Sequence, residues 1–126
     1  MIDSNYRLQS NEAEEKVMES DTYRMLLHKI DHGDTLDDEE KRELSQLVTD
    51  SFPRFSQFIA SKRYSFNDNE YLLCILARLH AAPSSIAVLI GRSPAYVTKM
   101  GKALMSKLYG KEGDCKELKR RLEELM

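Results

Sequence analysis

"PSSIAVLIGRSPAYVTKMGKALMSKLYG", residues 83–110, is the stretch whose reading decides the fold. Pro83 and Pro94 each suit the first turn of a helix, where proline's missing N–H would have no intrahelical partner in any case. Gly91, between them, suits the left-handed residue that ends a helix without a Cβ penalty. Two helices follow, over 83–90 and 94–109, with Ser93 as the N-cap of the second. A short connection containing a glycine is what a helix-turn-helix requires. Ala87 falls where the two helices cross and only a small side chain fits, and Val97 plugs the angle between them. At 100° per residue, Val97, Met100, Leu104 and Leu108 share one face of the second helix, while Ala95, Lys99, Lys102 and Ser106 share the opposite one.

Helix signals continue on both sides of this unit, and no stretch alternates apolar and polar over a strand's length between turn signals. The fold class is all-α, a helical bundle containing the helix-turn-helix, with a charged N-terminal helix. That first helix is predicted over residues 12–31, its apolar positions gathering late at Met25, Leu26, Leu27 and Ile30, with a fraying N-terminal half and Gly33 as its stop. Asp37 with Glu40, and Asn67 with Glu70, have the spacing of capping boxes. The first opens a helix carrying Leu44, Leu47 and Val48. The second opens one that is apolar on most sides, from Leu72 to Leu79, and should be the most buried. Pro53 starts a short helix with Phe55, Phe58 and Ile59 in the core, and Asp114 with Glu117 caps a last helix ending near Leu125. Residues 1–34 form a charged helical extension and residues 35–126 the helix-turn-helix domain, with the two-helix unit at 83–109.

The net charge of −2 hides a segmental polarity. Residues 1–50 hold 14 acids against 6 bases, whereas residues 51–111 hold 2 acids against 9 bases. Such asymmetry points to a polyanionic partner for the middle segment. The longest apolar run, Tyr71 to Ala77, is far below the roughly 18 residues of a membrane span, so no membrane contact is expected. Cys74 and Cys115 match no metal-binding spacing and are read as reduced thiols, with Cys74 in the core and Cys115 open to a lowered pKa near a helix start. His28 and His32 lie four apart but lack a third ligand. Ser84 and Ser85 have no nucleophile-elbow context. No metal, no cofactor and no catalytic constellation is expected, so an enzyme is not indicated.

The segment from Asp37 to Leu125 resembles a known family in its "FPRF", "NEYLLCILARL", "IAVLIGRS", "KLYG" and "GDCKELKRRLEEL" motifs. It is similar to the C-terminal DNA-binding domain of bacterial regulators in which a tetratricopeptide sensor region is followed by a membrane helix, a coiled coil and a LuxR-like or sigma-factor-like helix-turn-helix. The resemblance implies a bacterial DNA-binding transcription regulator, cytoplasmic, and tethered to the inner membrane where such an upstream segment is present. Two departures stand out. Where the family usually has a glycine and a serine cap before the first helix of the pair, this chain has His80 and Ala82, and where it tends to carry further arginines, this chain has Gly101 and Ala103.

The resulting expectation is a module that lays the helix 94–109 in the major groove of double-stranded DNA, with Arg92, Ser93, Ala95, Tyr96, Thr98, Lys99, Lys102 and Lys107 as contact residues. Ala95 suits a thymine methyl, Thr98 a base edge, and the lysines guanine or phosphate. Tyr96 divides evenly between stacking on sugar and padding the edge of the core. A short recognition helix with few cations needs a second half-site, so a homodimer is expected, its interface supplied by the N-terminal helix or by the Leu118, Leu122 and Leu125 stripe. The alternative is a non-catalytic interaction module on the same scaffold, docking on RNA polymerase or a partner helix, which the Pro-Ala-Tyr helix start and the mid-helix Gly101 would fit.

Overall fold

The computed structural model describes residues 12–126, and these are helical with short connections. In chain order the elements are α1 (residues 12–19), α2 (Asp21–His32), α3 (Asp38–Ser51), α4 (Pro53–Lys62), a 3₁₀ turn (Arg63–Ser65), α5 (Asp68–Arg78), α6 (Pro83–Ile90), α7 (Pro94–Tyr109) and α8 (Cys115–Glu123). The helix expected over 12–31 is in fact two. Ser20 breaks it: its hydroxyl donates to Val17 O at 2.6 Å and accepts from Tyr23 N–H at 3.1 Å, so one side chain closes α1 and caps α2. Serine competes with the helical ladder for backbone partners, and hydropathy periodicity does not register that competition.

Both predicted capping boxes form, Asp37 with Glu40 and Asn67 with Glu70, each through reciprocal side-chain and backbone bonds. Asp114 accepts from Glu117 N–H at 2.9 Å and caps α8, but the Glu117 carboxylate turns to Arg120 and Arg121 instead of back to the cap. Ala82 makes no side-chain cap, so α6 relies on Pro83 at its start. Gly33, Gly91 and Gly110 take positive φ and end α2, α6 and α7.

α5 lies at the centre of the bundle. It packs against α3, α6, α7 and α8, and every residue from Leu72 to Leu79 is buried. A single apolar core runs from Val17 in α1 through Leu26, Leu44, Phe55, Leu76, Leu89 and Leu104 to Leu122 in α8. The N-terminal segment shares it: α2 packs on α3 and α6, and Leu36 N–H donates to Leu89 O at 2.9 Å. Leu118 and Leu122, expected to be free for dimerisation, are fully buried against this core.

The most unusual residue of that core is Arg78, fully buried at the end of α5. Its guanidinium donates to Leu125 O at 2.7 Å and to Glu14 Oε1 at 2.8 Å, and stacks 3.6 Å from the centroid of the Phe52 ring. Glu14 also meets His80, whose other ring nitrogen faces Glu123. α1, the end of α5 and α8 are thereby joined through charged groups. A buried charge is tolerated only when paired and hydrogen-bonded in this way.

Candidate nucleic-acid interface

α6 and α7 are joined by residues 91–93, and the joint is rigid for identifiable reasons. Gly91 sits at φ 68°, its N–H donates to Val88 O, and the next amide, of Arg92, donates to Ala87 O at 2.9 Å. A side chain on Gly91 would be strained at that φ and would press on the Thr35 methyl 3.2 Å away. Ala87 and Val97 are both buried where the helices meet. Ser93 caps α7 by accepting from Tyr96 N–H at 3.1 Å.

α7 divides cleanly between core and solvent. Val97, Met100, Gly101, Leu104, Met105 and Leu108 are buried, while Ala95, Thr98, Lys99, Lys102 and Ser106 are exposed. Thr98 donates its hydroxyl to Pro94 O at 3.0 Å, which leaves its oxygen as an acceptor. Lys99 and Lys102 form no ion pair among the described residues. Arg92, also exposed, lies over the Tyr96 ring at 4.9 Å from its centroid. Tyr96 is half-buried and accepts from Asn69 Nδ2 at 3.3 Å, so its ring is at the core edge and its hydroxyl is tied to α5. Arg92, Ser93, Ala95, Thr98, Lys99 and Lys102 therefore occur together on the exposed opening and outer face of α7.

Lys107 departs from this set. Its ammonium donates to both carboxylate oxygens of Glu70, at 2.9 and 2.8 Å, and to Ser65 O at 2.9 Å. Glu70 is buried, and it is the same carboxylate that completes the capping box of α5. Lys107 is thus the counter-charge of a buried acid, and its charge is neutralised within the chain. Lys111, which helix-face reasoning does not reach, shares a concavity of about 670 Å³ with Lys102, Ser106 and Glu112 just past the end of α7. Its position directly after the Gly110 cap is the signal that could have found it.

Gly101 has a packing role. A Cβ there would overlap the Cys115 Sγ and come within 3.2 Å of the Cys115 Cα, so the glycine is what lets α8 lie against α7. The Cys115 thiol donates to Val97 O at 3.2 Å across the same contact. Burial raises the Cys115 pKa, Asp114 raises it further, and a backbone hydrogen bond lowers it only in part. The lowering expected from a helix start is overturned because a half-buried thiol meets apolar surroundings and an acid before it meets the helix dipole. Cys74 is pushed well above the ordinary thiol range by burial first and by Glu70 second. The His28 and His32 ring centroids lie 4.0 Å apart with the rings tilted by 34°, and among the described residues no three His, Cys, Asp or Glu are grouped to hold a metal ion. No helix among the described residues is long and apolar enough to cross a membrane. Comparison with known proteins returns no matching family model, no matching curated protein and no matching solved structure.

Proposed function

We propose that this chain is a DNA-binding module of a transcription regulator, with α6 and α7 forming a helix-turn-helix and α7 entering the major groove. One observation carries the reading. Lys99 and Lys102 stand outward on an exposed face whose reverse side is locked into the core, while Lys107 on the same helix is consumed by Glu70. A helix rigidly presented by its apolar face, with cations and short polar side chains outward, has the form of a major-groove reader. Thr98 offers an acceptor, Ala95 a methyl, and Ser93 opens the helix whose N-terminal dipole favours phosphate. Binding to two half-sites as a homodimer is part of the proposal, because so few cations yield few phosphate contacts. The interface is then not the Leu118 and Leu122 stripe, which is buried within one chain.

The interaction-module reading has weaker support. Gly101, which would fit a degenerate recognition helix, is accounted for by the Cys115 contact. The test is duplex titration as a function of salt with the wild type and with Lys99→Ala/Lys102→Ala. If both lysines neutralise phosphates, the log–log salt slope flattens by about 0.9 for each phosphate left without its cation. An unchanged slope removes α7 from the interface. A wild type that binds no duplex at low salt but retrieves polymerase subunits in a pull-down favours the interaction module.

A further inference from the structure

The turn between α6 and α7 carries a cation that is held in place before any ligand arrives. The Arg92 amide is fixed by Ala87 O at 2.9 Å, which sets where the side chain leaves the backbone. Its guanidinium lies over the Tyr96 ring, 4.9 Å from the centroid. That ring is itself restrained from two sides: it packs against the core, and its hydroxyl accepts from Asn69 Nδ2 at 3.3 Å in the first turn of α5. Three residues from three elements thus form a bracket: Asn69 in α5, Tyr96 in α7 and Arg92 in the turn between α6 and α7.

No hydrogen bond or ion pair among the described residues takes up the guanidinium N–H donors of Arg92, so they are free for a ligand. Those donors are matched to the oxygens of a phosphate. An arginine held this way loses less side-chain freedom on binding than one free in solvent. Arg92 precedes the Ser93 cap, so it lies outside the helix that would enter the groove and belongs at the groove's rim, where the backbone runs. The positive end of the α7 dipole adds to the attraction for an anion there.

We propose that Arg92 clamps a DNA backbone phosphodiester at the rim of the major groove, and that Tyr96, tethered to α5 by Asn69, is the positioning residue that holds it there. The inference rests on the DNA-binding reading above and assigns one contact of that same site. It also gives Tyr96 a purpose distinct from both sugar stacking and passive padding.

The test measures affinity and salt slope on a short mixed-sequence duplex, with thermal unfolding of each variant as the control for folding. Arg92→Ala should flatten the slope by about 0.9, the signature of one phosphate no longer neutralised. Arg92→Lys keeps the charge but replaces the rigid donor fork by a flexible ammonium, and should keep the slope while weakening binding about two- to fivefold. Tyr96→Phe keeps the ring but loses the Asn69 tether, and should weaken binding by less than Tyr96→Leu does. Tyr96→Leu should weaken wild-type binding yet change nothing further in the Arg92→Ala background. An Arg92→Ala slope equal to wild type, an Arg92→Lys affinity equal to wild type, or equal losses from Tyr96→Leu in both backgrounds would each overturn the clamp while leaving DNA binding standing. Absence of wild-type duplex binding would overturn the DNA reading and the clamp with it. If Tyr96→Leu does not fold, Arg92→Lys alone decides, since a surface arginine tolerates that change.

Discussion

Gly101 and His80 show how a single residue's meaning depends on what lies across from it. In an isolated helix, glycine is worse than alanine by about 1 kcal/mol, so Gly101→Ala ought to stabilise α7. Here the added methyl would overlap Cys115 and crowd its backbone. We expect Gly101→Ala to destabilise the protein by about 1–3 kcal/mol, as overpacking does, and Cys115→Ala to rescue it only in part because the Cys115 Cα remains close. Thermal unfolding of the two single variants and the double variant checks this; a more stable Gly101→Ala would refute the close approach. His80 takes a positive φ of 69°, in the left-handed region that favours glycine. An imidazole at positive φ is tolerated here because both ring nitrogens meet carboxylates, Glu14 at 2.8 Å and Glu123 on the other side.

At the scale of elements, the lysines of α7 do two unrelated jobs. Lys107 serves the fold and Lys99 and Lys102 face outward, so their variants should separate. Lys107→Ala strands the buried Glu70 carboxylate, so a loss of about 3 kcal/mol in unfolding free energy is expected. Glu70→Ala leaves only the exposed Lys107 and should cost about 1 kcal/mol, chiefly for the lost half of the capping box. Lys99→Ala/Lys102→Ala should leave the melting temperature within a degree or two, as surface changes usually do. If Lys107→Ala flattened the salt slope of duplex binding while leaving stability unchanged, the assignment of these roles would be reversed.

The attachment of α1 should depend on pH with a predictable sign. The groups facing one another are Glu14 from α1, Arg78 and His80 from the end of α5, and Lys119 and Glu123 from α8. Hydrogen bonding to Glu14 raises the His80 pKa above its ordinary 6.5, burial opposes this, and Glu123 adds to it. Burial pushes Glu14 and Glu123 upward, but hydrogen bonds from His80 to both, from Arg78 to Glu14 and from Lys119 to Glu123 outweigh it and hold both below the ordinary 4.5. A raised histidine contributes its full stability below 6.5 and loses it as pH rises through its folded value. The lowered carboxylates contribute fully above 4.5 and lose it as pH falls through theirs. The network is therefore strongest between pH 4.5 and 6.5 and weakens on both sides. The melting temperature of the wild type relative to His80→Asn should be highest in that window and fall as pH rises above it. Asparagine is suited to the left-handed conformation and does not titrate, so a difference independent of pH would refute the role of His80.

For the whole molecule, the decisive feature is that one core spans the chain from Val17 to Leu122. Removing residues 1–34 would uncover Leu79 and Ala81, which share a groove with Leu26 of α2, and would leave the fully buried Arg78 without Glu14. We expect the fragment 35–126 to unfold at a markedly lower temperature than the full chain. A fragment as stable as the parent would mean that α1 and α2 contribute little beyond their own folding.

What was legible in the sequence was whatever depends on near neighbours. Capping boxes act over three residues, proline and glycine act on their own φ, and hydropathy periodicity acts over a helix. Hence the helices from Asp38 onward, the α6–α7 joint at Gly91 and the buried face of α7 all occur where their local signals are. Even the Ser20 break was local, although it lay in side-chain hydrogen bonding and not in hydropathy. Tertiary structure alone decided the remainder: that Lys107 answers Glu70, that Gly101 admits Cys115, that Arg78 draws α1 onto α5 and α8, and that Arg92, Tyr96 and Asn69 align. These groups are far apart in the chain or belong to different elements, and their energies come from desolvation, close approach and charge at short range. A sequence states which groups are present, but only the fold brings them within the few ångströms at which those forces act.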